Sequence, residues 1–412
     1  MSHLHFSTNV LHTPFARVDA HSSLRMPVYD NVAFEFGSAE EHEAAFRGQV
    51  AKHVYSRITN PTVEYFESQM KTVTGALGVI AFSTGMAAIS NLLIAIAGKG
   101  ENIITTRKLF GNSYSLFSET LTDLGIEFRF ADLNKPESIQ PLIDKNTRAI
   151  FFETITNPQM EVADVSALSK IAKENKLLLL ADTTLTSPYL FNSGEFGIDV
   201  EIISSTKFIS GGATSLGGII IDNGSFNWIH NRKLESFATK FGPFALIAKL
   251  RKEVARNLGA PLSAHNAFLQ SLGLESLTLR VDKACSNTLK IAQWLEQEVN
   301  VKKVSYPGLK SSPYFELSNR QFKTRPGAVL TFDLESKASC FKLINNLKLL
   351  RKATNLNDNK TLIIHPASTI FCEYDEDTLQ SLNVRQTTIR LAVGIEELTD
   401  LINDLKQAFK KL

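Results

Sequence analysis

Residues 201–222 read EIISSTKFISGGATSLGGIIID. The apolar run 200–203 predicts a short buried strand that breaks into Ser204-Ser205-Thr206 and a single lysine, Lys207. A glycine-rich turn runs from Gly211-Gly212 to Gly217-Gly218, and the run 219–221 predicts a second interior strand. A lysine bracketed by interior strands is costly unless its charge is paired or chemically consumed. The ordinary alternative is a strand-end lysine that extends its ammonium to solvent.

Working outward, a β/α rhythm begins at Gly78. Residues 79–82, 102–105, 149–153 and 177–182 repeat the strand pattern. Ser83-Thr84-Gly85-Met86 leads from the first of these into an apolar helix, and residues 164–175 predict an amphipathic one. Strands alternating with helices indicate an α/β fold with a doubly wound, mainly parallel sheet. Ligands of such sheets sit outside the carboxyl ends of the strands. Those ends carry Glu153 with Thr156-Asn157-Pro158, then Asp182, then Ser204 to Lys207. The helix start at Gly85-Met86 offers free N–H groups to an anion, and residues 107–114 belong to the same edge.

On either side the chain is less regular. Residues 1–55 predict an arm, with a capped helix over 38–46 and a frayed start in which His3 and His5 carry no metal role. Tyr55 and Arg57 precede Asn60-Pro61-Thr62, where Thr62 is the expected helix cap. Arg57 can clamp an anion or pack on Tyr55. Residues 56–257 are expected to form the large domain, ending in a helical linker over 237–257. Residues 258–412 are expected to form a smaller α+β domain with helices over 264–279, 285–299 and 396–412 and strands over 328–334, 362–365 and 388–393. At 412 residues with 43% hydrophobic and 21% charged content, large cores are affordable. A net charge of +2 without like-charge runs argues against nucleic acid or an acidic membrane as partner. Three scattered cysteines argue for a reducing compartment, and no run suits a membrane span or signal peptide, so a cytoplasmic enzyme is expected.

A lysine among hydroxyls, an aspartate ending a neighbouring strand and an anion cradle at a helix start match the needs of pyridoxal 5'-phosphate. That cofactor forms a Schiff base with lysine, its ring nitrogen wants a carboxylate, and its phosphate wants N–H and O–H donors. No G-x-G-x-x-G, P-loop or Cys/His metal spacing competes. A non-catalytic binding module would not need the buried lysine.

The segment SSTKFISGGATSLGG (204–218) resembles the lysine signature of the Cys/Met-metabolism pyridoxal-phosphate enzymes, the trans-sulfuration family. YSRITNPT (55–62), STGMAAI (83–89), ETITNP (153–158), ADTTLTSPY (181–189), HPAST (365–369) and TIRLAVGIEELTDLI (388–402) resemble its other blocks, in the same order. The resemblance implies an aspartate-aminotransferase-like fold, that of fold type I pyridoxal-phosphate enzymes, assembled as a homotetramer of two active dimers. It implies Lys207 as the Schiff-base residue, Asp182 as the pyridinium partner, and Gly85, Met86, Ser204 and Thr206 at the phosphate. It implies that Tyr55 and Arg57 reach the phosphate of the neighbouring subunit, that Asn157 meets the phenolic oxygen and that Arg390 binds the substrate α-carboxylate.

Within the family, residues 55–62, 255–280, 306–317 and 353–369 look most like O-acetylhomoserine sulfhydrylases, enzymes of methionine biosynthesis; Asn355 sits at the substrate edge where those enzymes tend to carry Asn and related lyases Ser. Asn112 stands where methionine γ-lyases typically place Cys. The implied reaction is γ-replacement on O-acetyl-L-homoserine by sulfide or a small thiol, giving homocysteine and acetate. Two departures stand out. The ring-stacking aromatic, usually Tyr, is Phe110, which cannot carry a proton; Tyr114 or a water is the candidate substitute. Ile370-Phe371 follow HPAST where the family commonly has Thr-His. Cystathionine γ-synthase or a β/γ-lyase is the alternative within the family, and a cofactor-retaining but inactive interaction protein is the alternative outside enzymes.

Overall fold

The computed structural model describes residues 4–15, 19 and 21–412. His3 lies outside them; the following stretch forms a short helix, Phe6–Leu11, that buries Val10 rather than fraying. Strands β1 (Gly78–Phe82), β2 (Asn102–Thr105), β3 (Glu127–Phe130), β4 (Thr147–Glu153), β5 (Leu178–Asp182), β6 (Val200–Ile203) and β7 (Gly218–Asp222) form one sheet. Among the described residues its order is β1-β7-β6-β5-β4-β2-β3. Pairing is parallel from β6 through β3 and antiparallel on both sides of β7. Strand β1 therefore points the same way as β6, and β7 runs back, so the carboxyl ends of the other six strands share one edge. Strand β3, which was not expected, is the polar edge strand EFRF; its partial exposure erases the apolar signal of an interior strand.

Alternate residues of the interior strands enter different cores. Phe151, Leu180 and Ile202 face helix α2 (Gly85–Ile96), whereas Phe152, Leu179 and Ala181 face helix α3 (Val165–Glu174). Asp164 caps α3 by accepting from the Ala167 amide at 3.1 Å. Helix α1 (Pro61–Thr74) is capped by Asn60, not Thr62. Pro61 fixes the first helical φ and has no N–H to offer, which leaves the residue before it as the cap. Thr62 instead fastens the arm: its hydroxyl donates to the Pro27 carbonyl at 2.8 Å and accepts from the Tyr29 amide at 2.9 Å.

The expected linker over 237–257 lies against the large sheet through Ala245, Leu246 and Leu250, and Pro243 divides it into short helical pieces. Helices α4 (Ala264–Glu275) and α5 (Leu277–Leu295) follow, breaking at Ser276 rather than near 280. Residues Leu262, Ala267, Leu274 and Val281 pack into the large-sheet core, while Ile291 and Leu295 enter the core of the second sheet. Helix α5 thus contributes side chains to both cores. The second sheet, β8 (Lys303–Ser305), β9 (Val329–Asp333), β10 (Arg351–Lys352), β11 (Leu362–Ile364) and β12 (Thr388–Ala392), has the order β10-β11-β12-β9-β8 and is covered by helix α6 (Leu398–Phe409).

Candidate active site

Where β1, β4, β5 and β6 end, the chain encloses a cavity of about 240 Å³. Gly85, Met86, Phe110, Asn157, Asp182, Ser204, Thr206, Lys207, Asn355 and Arg390 all line it. Tyr55 and Arg57 do not. Both are exposed, Arg57 lies beside the Tyr55 ring and donates to the Arg256 carbonyl at 2.6 Å. A larger cleft of about 440 Å³ between the small sheet and residues 158–161 contains none of the twelve.

The start of α2 is built for close approach. A Cβ on Gly85 would come within 2.8 Å of the Ser204 Cβ, and one on Gly218 within 2.1 Å of the Thr84 carbonyl oxygen. Thr84 caps the helix by accepting from the Ala87 amide at 3.0 Å, leaving the Gly85 and Met86 amides without intrahelical acceptors. Thr206 differs from expectation in one respect: its hydroxyl donates to the Gly217 carbonyl at 3.1 Å and accepts from the Gly217 amide at 3.0 Å. A hydroxyl has one proton, so donation to an anion requires it to turn from that carbonyl.

Asp182 is half-buried at the end of β5, where its Oδ1 accepts from the Thr184 amide at 2.9 Å. Burial raises its pKa, against the opposing pull of the Thr184 hydrogen bonds and of Lys207. A carboxyl this deep is stabilised as an anion by a cation or donor brought to it. Beside it in register, Glu153 accepts from the Phe110 amide at 2.6 Å and the Asn157 amide at 3.4 Å. Burial, then the Asp182 charge, pushes Glu153 to about 8. Glu201 on β6 lies deeper, bonded by the hydroxyls of Thr183 and Ser193, and is pushed to about 7 by burial. Two carboxyls therefore reach the cavity, and a third, Glu201, is buried on β6. Residue types alone did not disclose Glu201, although an acid inside the run VEII is a signal of a buried, protonated group.

Lys207 follows β6 in the connection that returns as β7. Its Nζ donates to Asn355 Oδ1 at 2.7 Å. Burial first, and then the positive charge of Arg390, pushes its pKa down to about 8 against the opposing charges of Asp358 and Asp182. Arg390, on β12, is buried and pushed down to about 10 by burial. It donates to Asn157 Oδ1 at 3.1 Å and to the Asn355 carbonyl at 2.9 Å, and its Nε has no hydrogen-bond partner.

A nucleophilic amine, a buried carboxylate and an anion cradle are the donor set pyridoxal phosphate requires, and the residues present fit it. A family model described as Cys/Met metabolism PLP-dependent enzyme matches residues 7–410. The chain belongs to that family. It is 36% identical to the O-acetyl-L-homoserine sulfhydrylase of Corynebacterium glutamicum, over 98% of this chain and 96% of that one. A putative O-acetylhomoserine (thiol)-lyase of Campylobacter jejuni, solved with a pyridoxyl-lysine phosphate, superposes with a TM-score of 0.95 at 34% identity, covering 99% of this chain and 100% of that chain. The O-acetylhomoserine sulfhydrylase structure of Wolinella succinogenes is 45% identical with a TM-score of 0.78, covering 86% of this chain and 99% of that chain. These relatives carry the aspartate-aminotransferase-like assignment beyond sheet order alone.

Two family-based expectations resolve within the cavity. Phe110 lines it, held by the bond from its own amide to Glu153. Tyr114 does not substitute for the missing phenol. It is buried against Phe130 and Tyr374, with its hydroxyl accepting from Arg107 at 3.1 Å. Ile370 adds an apolar wall where a hydroxyl is usual, while Phe371 turns into the core.

Proposed function

We propose that the enzyme catalyses γ-replacement on O-acetyl-L-homoserine, with sulfide or a small thiol as acceptor, giving homocysteine and acetate. The observation that carries this reading is the meeting of Lys207, Asp182 and Arg390 in one cavity of a chain similar throughout to O-acetylhomoserine sulfhydrylases. When bound, pyridoxal phosphate supplies an electron sink that acidifies the carbons next to the substrate amine. Gly85 and Met86 would hold its phosphate through their amides, with the Ser204 and Thr206 hydroxyls; Asp182 would hold its ring nitrogen, and Asn157 its phenolic oxygen.

The chain's own groups divide the remaining work. Arg390, braced by Asn157 and by the Asn355 carbonyl, binds the amino-acid carboxylate by a two-point contact. Lys207, with a pKa near 8, is neutral in part of the population at neutral pH and accepts the α-proton on Nζ. Phe110 and Ile370 exclude water from the reacting carbons without exchanging protons. Tyr55 and Arg57, turned away from their own cavity, would complete the phosphate site of a neighbouring copy, within a tetramer of two such dimers. No helix among the described residues is long and apolar enough to cross a membrane, and the cytoplasm is the compartment that suits the three thiols.

Purified holoenzyme given O-acetylhomoserine and sulfide is expected to release acetate and form homocysteine; absence of homocysteine with cofactor bound overturns the reading. Phe110 motivates the second reading, cystathionine γ-synthase or a lyase. Acetate release with cysteine as acceptor, and 2-oxo-acid release without acceptor, separate these reactions.

A further inference from the structure

The loop between β10 and β11 carries the sequence Asn355-Leu356-Asn357-Asp358-Asn359. Its asparagines alternate, and each reaches the large domain. Asn355 accepts from Lys207 at 2.7 Å, Asn357 donates to the Thr184 carbonyl at 3.2 Å, and Asn359 donates to the Gly211 carbonyl at 2.9 Å. Between them, Asp358 Oδ1 accepts from the Lys360 amide at 3.1 Å, and its Oδ2 accepts from Asn355 Nδ2 at 3.2 Å. The loop is held again where the amide and hydroxyl of Thr361 bond Glu396 at 2.6 and 2.7 Å. The carboxylate of Asp358 is thus fixed on both sides.

An asparagine amide has an acceptor end and a donor end of nearly the same shape. If the Asn355 amide were reversed, Nδ2 would face Lys207 and hold the neutral amine through its lone pair, the pair that a base needs. A carboxylate at Nδ2 forbids that reversal, since it accepts only from the NH2 end. We infer that Asp358 is a positioning residue: it fixes the Asn355 amide so that its oxygen restrains an N–H of Lys207 and leaves the lone pair free to take a proton. The assignment rests on the reading of Lys207 as the proton-carrying amine. Charged groups face Lys207 from three elements, Asp182 from β5, Arg390 from β12 and Asp358 from this loop, with Glu153 beyond Asp182. Asp358 therefore acts on the amine by geometry and by charge, and two substitutions separate the effects.

Asp358→Asn removes the charge and keeps one of the two acceptor oxygens, which serves Asn355 when the amide of the exposed Lys360 turns to water; Asp358→Ala removes the charge and both oxygens. Both holoenzymes are compared with wild type in cofactor content, in the pH titration of the cofactor's visible absorbance, and in kcat and KM for O-acetylhomoserine with sulfide from pH 6.5 to 9.5. Losing the negative charge is expected to move the absorbance midpoint and the acidic limb of kcat down by about half a pH unit in both variants. Losing the orienting acceptor is expected to lower kcat about tenfold in Asp358→Ala alone, with KM within about twofold. Unchanged absorbance midpoints and kcat in Asp358→Ala overturn the proposal; equal losses of kcat in the two variants overturn the orienting role. If wild type makes no homocysteine, the proposed reaction fails separately, because the absorbance titration reads Asp358 without substrate.

Discussion

Replacing Glu201 with Gln tests how the site keeps its negative charge on Asp182. Glu201 is fully buried on β6, bonded by Thr183 and Ser193, and pushed to about 7 by burial, with the Asp182 charge adding to the rise. Because the folded value lies above the ordinary 4.5, the folded protein holds this proton more tightly than the unfolded chain does. The associated stability is full below about pH 4.5 and is lost as pH rises through about 7. At about 1.4 kcal/mol per pH unit, the part lost between pH 5 and pH 8 is about 2–3 kcal/mol. Glutamine does not titrate, and the two hydroxyls can rotate to suit its amide. Glu201→Gln should therefore gain about 2–3 kcal/mol on wild type between pH 5 and pH 8, whatever its offset at pH 5. Urea unfolding of the holoenzyme followed by tryptophan fluorescence, at matched subunit and cofactor concentrations, measures the gap at each pH. A gap constant to within about 0.5 kcal/mol across that range refutes the assignment of a buried, protonated Glu201.

Other substitutions address the cradle, the carboxylate contact and the missing phenol. Gly85→Ala drives a methyl to 2.8 Å from the Ser204 side chain and 3.1 Å from its Cα; absorbance titration with pyridoxal phosphate should show affinity reduced about tenfold. Arg390→Lys cannot keep both the Asn157 and Asn355 contacts while offering a planar fork. Its kcat/KM for O-acetylhomoserine should fall about 100-fold, with cofactor absorbance unchanged. Phe110→Tyr returns a proton-carrying group to the cavity wall and should raise acetate release at saturating sulfide at least about twofold; equal rates would show that this position acts through its ring alone.

The interior of the large sheet was legible because its strands are short, apolar and flanked by turn residues. Asn102–Thr105 and Val200–Ile203 coincide with the reading at both ends. The same rule missed Glu127–Phe130, since this partly exposed edge strand alternates polar and apolar residues. The helical stretch after residue 235 was legible as helix but not as five pieces, because Pro243 and the π turn Leu250–Val254 act on backbone bonds. Most candidate residues converge because they follow strands whose carboxyl ends share one edge of the sheet. What the chain did not disclose is protonation. Glu153, Asp182 and Glu201 look like any other acids in a string of letters, and burial raises the pKa of each, with the Asp182 charge adding to the rise at Glu153 and Glu201. Thr62 was misread because a contact distant in sequence claims its hydroxyl, the carbonyl 35 residues earlier at Pro27.

The tight seam between the start of α2 and the β6–β7 connection bears on how the enzyme would fail under stress. With Gly85 against Ser204 and Gly218 against the Thr84 carbonyl, the anion-holding turn and the lysine-bearing strand end are geared together. Sliding is resisted at both points, because Gly218 meets the Thr84 backbone and Gly85 meets the Cβ and Cα of Ser204, neither of them the far end of a flexible side chain. Thermal damage at this corner should erase amine placement and phosphate grip in the same event, so that a population of heated enzyme holds working and ruined sites but few half-working ones. Inherited change is constrained alike: a larger residue at any of these positions must be answered across the seam.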